Sequence, residues 1–314
     1  MKAILSTILA TAITTAAFAQ SPDKALARVK YSFTHIQDTT QRDKPYTENM
    51  LLVIGKNASV YTSYDKLNSA IAMNQQLQEQ IRNNAGGPQS ISIKRTSSKP
   101  TNGLDYFFFV KENKFVTKER LFNNYLIEEE APKISWKITK DTASFSGVHC
   151  QKATTHFKGR NWIAWYAPDM PFQSGPWKLN GLPGLIVEAY DEKKEVQFQF
   201  AGIDKVDETN VATTIEEKPI SGNVVKVMGM DGADAYLGSE IKLPADALKT
   251  TQKELDKLKE ARDKDPQGFL NAQLANSGIQ GSFKMNTNTQ MRPAGTAGPV
   301  KITINNPIEL PEKK

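Results

Sequence analysis

The chain has 314 residues, 40 Lys and Arg against 34 Asp and Glu, a formal net charge of +6 and one cysteine. One cysteine cannot make an internal disulfide, so the core must hold without covalent staples. The basic excess is spread thinly among acids, not gathered on one face with interleaved aromatics, which argues against a nucleic-acid binder.

The first 19 residues predict a cleaved secretory signal. Lys2 is the positive start, residues 3–16 are almost uncharged and mostly apolar, and Ala17-Phe18-Ala19 is a small-x-small cleavage site before Gln20. The run is too short and too diluted by Thr and Ala to anchor in a membrane. No cysteine follows it to carry a lipid, and no later segment is apolar enough to span. The expected location is the periplasm or the exterior.

Strand patterns then dominate. Along 27–37, Val29, Tyr31, Phe33 and His35 alternate with Arg28, Lys30, Ser32 and Thr34, the period of a half-buried strand; His35 reads as a satisfied, partly buried ring. Further strands are expected at 48–56 and from 58 to 63. At 64–84 the period changes: Leu67, Ala70, Ile71, Leu77 and Ile81 recur at helical spacing, with Asp65 as a cap and Gly86-Gly87-Pro88 as the stop. This helix either covers one side of a sheet or closes a cavity as a lid. Strands resume at 90–95, 104–111, 114–118, 121–128, 133–139, 148–157 and 160–166. Tyr106 to Val110 is an unbroken apolar run, as expected of a strand covered on both faces.

The stretch 159–191 is the densest in chemistry. It holds Trp162, Trp165 and Trp177 and four prolines, Pro168, Pro171, Pro176 and Pro183. The prolines remove backbone donors and fix φ, so 167–184 reads as a stiff crossing and not a sheet ladder. Pro183-Gly184 suits a type II turn with glycine at positive φ. Strands are expected at 185–190 and 195–200, with weaker ones within 206–217, at 223–228 and at 300–304. Thr251-Gln252-Lys253-Glu254 fits a capping box inside a helical stretch at 244–275, and 278–298 reads as a linker. The domain plan is therefore a signal at 1–19, a β domain over 20–243 with an inserted helix near 64–85, helices at 244–275 packed on it, and a mostly irregular tail at 276–314.

Gly181-Leu182-Pro183-Gly184-Leu185-Ile186 is the hexapeptide that names the GLPGLI family of exported Bacteroidetes proteins, and the chain resembles that family around it. Gly147 and Cys150, Gly159-Arg160 and Trp162, and Gly175-Pro176-Trp177 match its pattern, as does the ending Asn305-Asn306-Pro307-Ile308-Glu309-Leu310. The usual tyrosine beside the family cysteine is His149 here. The resemblance implies no established activity. It implies an α+β fold, mainly β: a curved antiparallel sheet or open half-barrel like that of periplasmic lipoprotein carriers, with a helical lid.

The expected function is a non-catalytic binding or carrier protein for an apolar ligand or lipid-like cargo, with Trp165, Trp177, Leu182 and Leu185 lining the site and Leu67, Ile71 and Ile81 facing the cavity. The alternatives are an accessory protein that docks on an outer-membrane transporter, and an enzyme without a recognisable motif. No cofactor, metal ligand set or catalytic residue is expected. There is no H-x-x-x-H spacing for zinc. Cys150 and His156 share a strand face but lie roughly 20 Å apart along it, and Cys150 reads as a small buried hydrophobe. Asp141 and Ser146 make no nucleophile elbow, Glu128 to Glu130 read as solvated, and Met228-Gly229-Met230 is a poor copper site.

Overall fold

The computed structural model describes residues 22–83, 100–206, 236–276 and 304–312. The expected signal at 1–19, the strands at 90–95 and 223–228, nearly all of those at 206–217 and 300–304, the stop at 86–88, Met228-Gly229-Met230 and the linker at 278–298 lie outside the described residues.

Among the described residues thirteen strands form one mostly antiparallel sheet. They are β1 (Asp23–His35), β2 (Tyr46–Gly55), β3 (Ala58–Ser63), β4 (Leu104–Phe109), β5 (Lys114–Arg120), β6 (Asn124–Glu130), β7 (Lys137–Phe145), β8 (Val148–Phe157), β9 (Arg160–Ala167), β10 (Leu185–Asp191), β11 (Val196–Lys205), β12 (Glu240–Ile241) and β13 (Leu248–Lys249). The order is β13-β6-β5-β4-β3-β2-β1-β11-β10-β9-β8-β7, with β12 pairing the start of β1. The sheet is open: its ends are β13 and the nine-residue β7, and the latter is largely exposed. Among the described residues three helices accompany it: α1 (Tyr64–Asn83), α2 (Gln252–Lys264) and α3 (Pro266–Asn276). Several neighbours in sequence pair through tight reversals, among them β7 with β8 and β8 with β9. Ser146-Gly147 and Lys158-Gly159 have φ of 48°, 81°, 52° and 70°, the consecutive positive φ values of the two-residue turn that matches strand twist.

The central strands are apolar on both faces. Along β2, Met50, Leu52 and Ile54 enter one core while Leu51 and Val53 enter another, each 1% exposed. The first core carries most of the aromatic mass, including Tyr31, Phe33, Tyr61, Tyr106, Trp162, Trp177 and Phe198. The second is closed by Leu67 of α1 together with Tyr236 and Ile241. The helix at 64–83 therefore covers the second face, with Leu67 packed in a filled core; Ile71 is half-buried, and the side chain of Ile81 lies outside the described residues.

Other expectations shift for local reasons. Ser63, not Asp65, caps α1: its Oγ accepts from the Lys66 amide at 2.9 Å, while Asp65 accepts from the amide and side chain of Asn49. The last helical stretch begins at Gln252, where the capping box closes as read, and not at 244. In its place Leu248–Lys249 pairs with β6 in parallel, an exception to the antiparallel expectation. The strand expected at 133–139 is displaced to Lys137–Phe145, because Asp141 sits in an irregularity within the strand and Ser144 pairs with His149, so neither turns it.

One charge cluster is sunk in the second face. Asp105 is fully buried and meets Lys66 at 2.6 Å, Lys118 at 3.0 Å, Thr62 at 2.5 Å and Tyr236 at 2.8 Å. Burial alone would raise its pKa; the two lysines outweigh that and hold it well below the usual carboxylate range. A depressed native pKa stabilises the fold fully above the unfolded-state value, and that stability is lost as pH falls through the native value. Asp105→Asn should therefore cost about 3 kcal/mol at neutral pH by leaving buried lysine charge uncompensated. In urea titrations the gap to wild type should narrow below about pH 4, where an ordinary aspartate protonates; a gap independent of pH would contradict this account.

Candidate functional site

Three pieces converge on the first face: the sheet, the crossing at 168–184, and the segment at 304–312. The crossing is rigid for reasons visible residue by residue. Short backbone bonds lock it, among them Phe172 N to Met170 O at 2.7 Å, Ser174 N to Phe172 O at 2.8 Å and Ile186 N to Ser174 O at 3.0 Å. A Cβ on Gly175 would lie 2.6 Å from the Leu179 carbonyl, and one on Gly184 would press into the Ala167 carbonyl. Gly184 is thus required by close approach. The positive φ expected there belongs instead to Gly181, at 88°. Trp136 ties the crossing down by donating from Nε1 to the Asn180 carbonyl at 2.8 Å. Trp177 has a φ of 55°, a conformation that costs a bulky residue of order 1–3 kcal/mol. Its packing offsets that cost: the indole lies 5.6 Å from Trp162 and 5.9 Å from Phe157.

The segment at 304–312 is strapped to the sheet by Arg160, which is 4% exposed. Its guanidinium donates to the Ile308 and Pro307 carbonyls and to Asn306 Oδ1, and pairs with Asp191 at 2.8 Å and Glu195 at 3.6 Å. Asn306 passes the link on: its Nδ2 donates to Ile36 O and Glu195, and its carbonyl accepts from His35 Nε2 at 2.7 Å. Burial lowers the His35 pKa, against the opposing pull of this bond, whose donor is the Nε2–H. Further along, Glu309 meets Lys178 at 2.7 Å and Glu312 meets His156 at 2.8 Å. Gly159 admits the strap closely; a Cβ there would stand 2.5 Å from the Leu310 carbonyl.

Between these pieces lies a cavity of ≈ 500 Å³. Phe33, Tyr46, Met50, Tyr61, Leu104, Tyr106 and Phe198 line it from the sheet, Trp177 from the crossing, and Pro307 and Ile308 from the strap. Besides the tyrosines, its polar lining is His35, Gln37, Thr101 and Asn102; among the described residues no Lys, Arg, Asp or Glu contributes. Because α1 covers the opposite face, it is not a lid over this cavity.

Of the four residues expected to line a site, Trp177 does. Leu182 and Leu185 are fully buried in the same apolar core, and Trp165 packs on Phe145 at 5.5 Å with Lys152 over its ring. Ile186 is buried beside them, and its carbonyl accepts from the Tyr31 hydroxyl. Pro176 accepts from the Leu179 amide and Pro183 precedes the close-packed Gly184. Cys150 is buried and unbridged, and burial pushes its thiol up to about 11. His149 and His156 are exposed, and Glu128 pairs with Lys114 and Lys249. Sequence reasoning missed Phe33, Tyr61, Tyr106 and Phe198 as cavity walls. Alternation marked Phe33 and an apolar run marked Tyr106 as buried, but neither pattern tells a filled face from a hollow one. Among the described residues, no group of three or more His, Cys, Asp or Glu is placed to hold a metal ion, and no helix is long and apolar enough to cross a membrane.

Residues 151–188, from β8 into β10, match the model of a family described as "Protein of unknown function (Porph_ging)". The matched stretch contains Arg160, Trp162, Trp177 and the hexapeptide on which the resemblance above rests. Two solved structures of PNGF-II show distant similarity. One, in space group P21, is 12% identical over 58% of this chain and 29% of that one, with a TM-score of 0.41; the other, in space group C2, is 12% identical over 74% and 32%, with a TM-score of 0.45. This chain thus spans about a third of the length of those proteins. No curated protein matches it.

The Arg160 hub is open to a direct check. Arg160→Ala should release the strap and cost about 3–5 kcal/mol, because Asp191 stays buried without its cation while Glu195 keeps only Arg42. Hydrogen exchange should show faster exchange at the amides of Asn305, Asn306 and Leu310, which bond to Gln37 and Lys158. Retained protection at those three would refute the assignment.

Proposed function

We propose that this is an exported, non-catalytic binding protein that holds an apolar small molecule in the cavity between the sheet, the crossing and the strap. The observation that carries the reading is the cavity itself: a volume in the range of small-molecule sites, apolar walls and a few polar groups at fixed positions. Phe33, Tyr61, Tyr106, Trp177 and Phe198 offer ring faces and edges, which bind apolar ligands through large contact areas and little loss of side-chain freedom. The walls come from elements locked by buried hydrogen bonds, so little ordering is left for a ligand to impose. The three-part pattern of residues 1–19 supports export.

The test uses N-phenyl-1-naphthylamine, a neutral probe that fluoresces in apolar surroundings. It should bind at one site per chain, with quenching of tryptophan emission. Leu104→Trp enlarges a half-buried wall residue. It should weaken binding by about tenfold or more while thermal unfolding shifts by only about 4 °C, the change expected for a loss near 1 kcal/mol. Unchanged binding in this variant would place the probe elsewhere and remove the main support for the reading.

A further inference from the structure

Tyr61 presents a chemical remainder that the fold does not use. It is 3% exposed, it lines the cavity, and its hydroxyl has no hydrogen-bond partner among the described residues. Nearby tyrosines differ: Tyr31 donates to the Ile186 carbonyl at 2.6 Å and Tyr46 donates to Glu48 at 2.6 Å. The Trp177 indole N–H, on the same cavity, is close to the Tyr106 hydroxyl without completing a full hydrogen bond. A buried hydroxyl left unpaired costs roughly 1–3 kcal/mol, and phenylalanine would fill the same space without that cost. Around Tyr61 stand the rings of Phe198, Tyr31 and Tyr106, at 6.2, 6.4 and 6.5 Å; burial first, then the neighbouring phenols and the Glu48 carboxylate, keeps its hydroxyl protonated and able to donate.

The charge of the occupant is constrained as well. Among the described residues no cationic side chain lines the cavity, and the N–H of His35 is already given to the Asn306 carbonyl. An ionised carboxylate or phosphate inside would be desolvated without a countercharge, which apolar sites do not tolerate. Resting on the cavity being a ligand site, we propose that its occupant is a neutral apolar molecule bearing a carbonyl-type acceptor, oriented by a hydrogen bond from the Tyr61 hydroxyl. Acyl anions such as fatty acids are not its cargo.

Two neutral probes and one anion separate the possibilities. The ketone 6-propionyl-2-(dimethylamino)naphthalene emits further to the red when its carbonyl accepts a hydrogen bond; N-phenyl-1-naphthylamine has no carbonyl. In Tyr61→Phe, affinity for the ketone should fall about tenfold, the loss of one hydrogen bond, and emission of the bound ketone should move to the blue. Affinity for the naphthylamine should change by less than about twofold, and the ligand-free variant should melt no lower than wild type, since no native partner is lost. Dodecanoate should displace the ketone at least about tenfold less well than unlabelled ketone does. If the naphthylamine binds and the ketone's affinity and emission are the same in Tyr61→Phe as in wild type, the Tyr61 assignment is overturned while the cavity reading stands. If dodecanoate displaces as well as the ketone, the neutrality of the ligand is overturned. If neither probe binds wild type, the binding reading itself fails, and this proposal with it.

Discussion

The buried guanidinium of Arg160 is the interaction on which the rest of the site depends. It sits at the first residue of β9 and gathers Asp191 from the end of β10, Glu195 just before β11, and the carbonyls and Asn306 side chain of the strap. A charge removed from water this completely is tolerable only when its donors are matched, and the planar fork of arginine matches carboxylates and carbonyls in a way a lysine could not. Asp191 does double service, since its other oxygen accepts from the amides of Glu195 and Val196 at 2.6 and 2.9 Å and fixes the turn into β11. One cation thus sets the relative positions of three strands and of the segment that walls the cavity. Apolar burial supplies most of the folding free energy, but non-directional burial would not by itself place Pro307 and Ile308 over Phe33.

The crossing between β9 and β10 adds the second constraint, and it is steric. Gly175 and Gly184 are places where backbone meets backbone too closely for any side chain, and Gly181 is where the chain must turn left-handed. Between them Trp177 is held in a conformation that a bulky residue avoids. The result is an aromatic side chain presented to a cavity from a loop that behaves as a structural element.

Much of this was legible in the sequence, and the limits have physical causes. Period-two alternation located β1, and a continuous apolar run located β4, because those patterns report burial directly. The capping box at Thr251 was legible because it is a local hydrogen-bond exchange. The side of the sheet that α1 covers was not, since an amphipathic helix has one apolar stripe and a sheet buried on both faces offers it two equivalent surfaces. The parallel pairing of Leu248–Lys249 was hidden because two residues carry no period. At Pro183-Gly184 the dipeptide suggested a turn type, yet the glycine answers to the Ala167 carbonyl across the sheet, and local sequence does not encode a distant neighbour. For the same reason nothing in the spacing of Tyr61 indicated that its hydroxyl would be the one left over.

The strap has a consequence for how the molecule comes into being. His35 meets Asn306 across a separation of 271 residues, and Arg160 meets it across 146. A chain made from its N-terminus has β1 to β11 available long before residues 304–312 exist, so for most of its synthesis the aromatic face lacks one wall. Closing so long a loop is entropically slow. Residues 304–312 are therefore the ones that add a wall to an adhesive surface, and the nascent protein passes through a stage in which that surface can meet other chains.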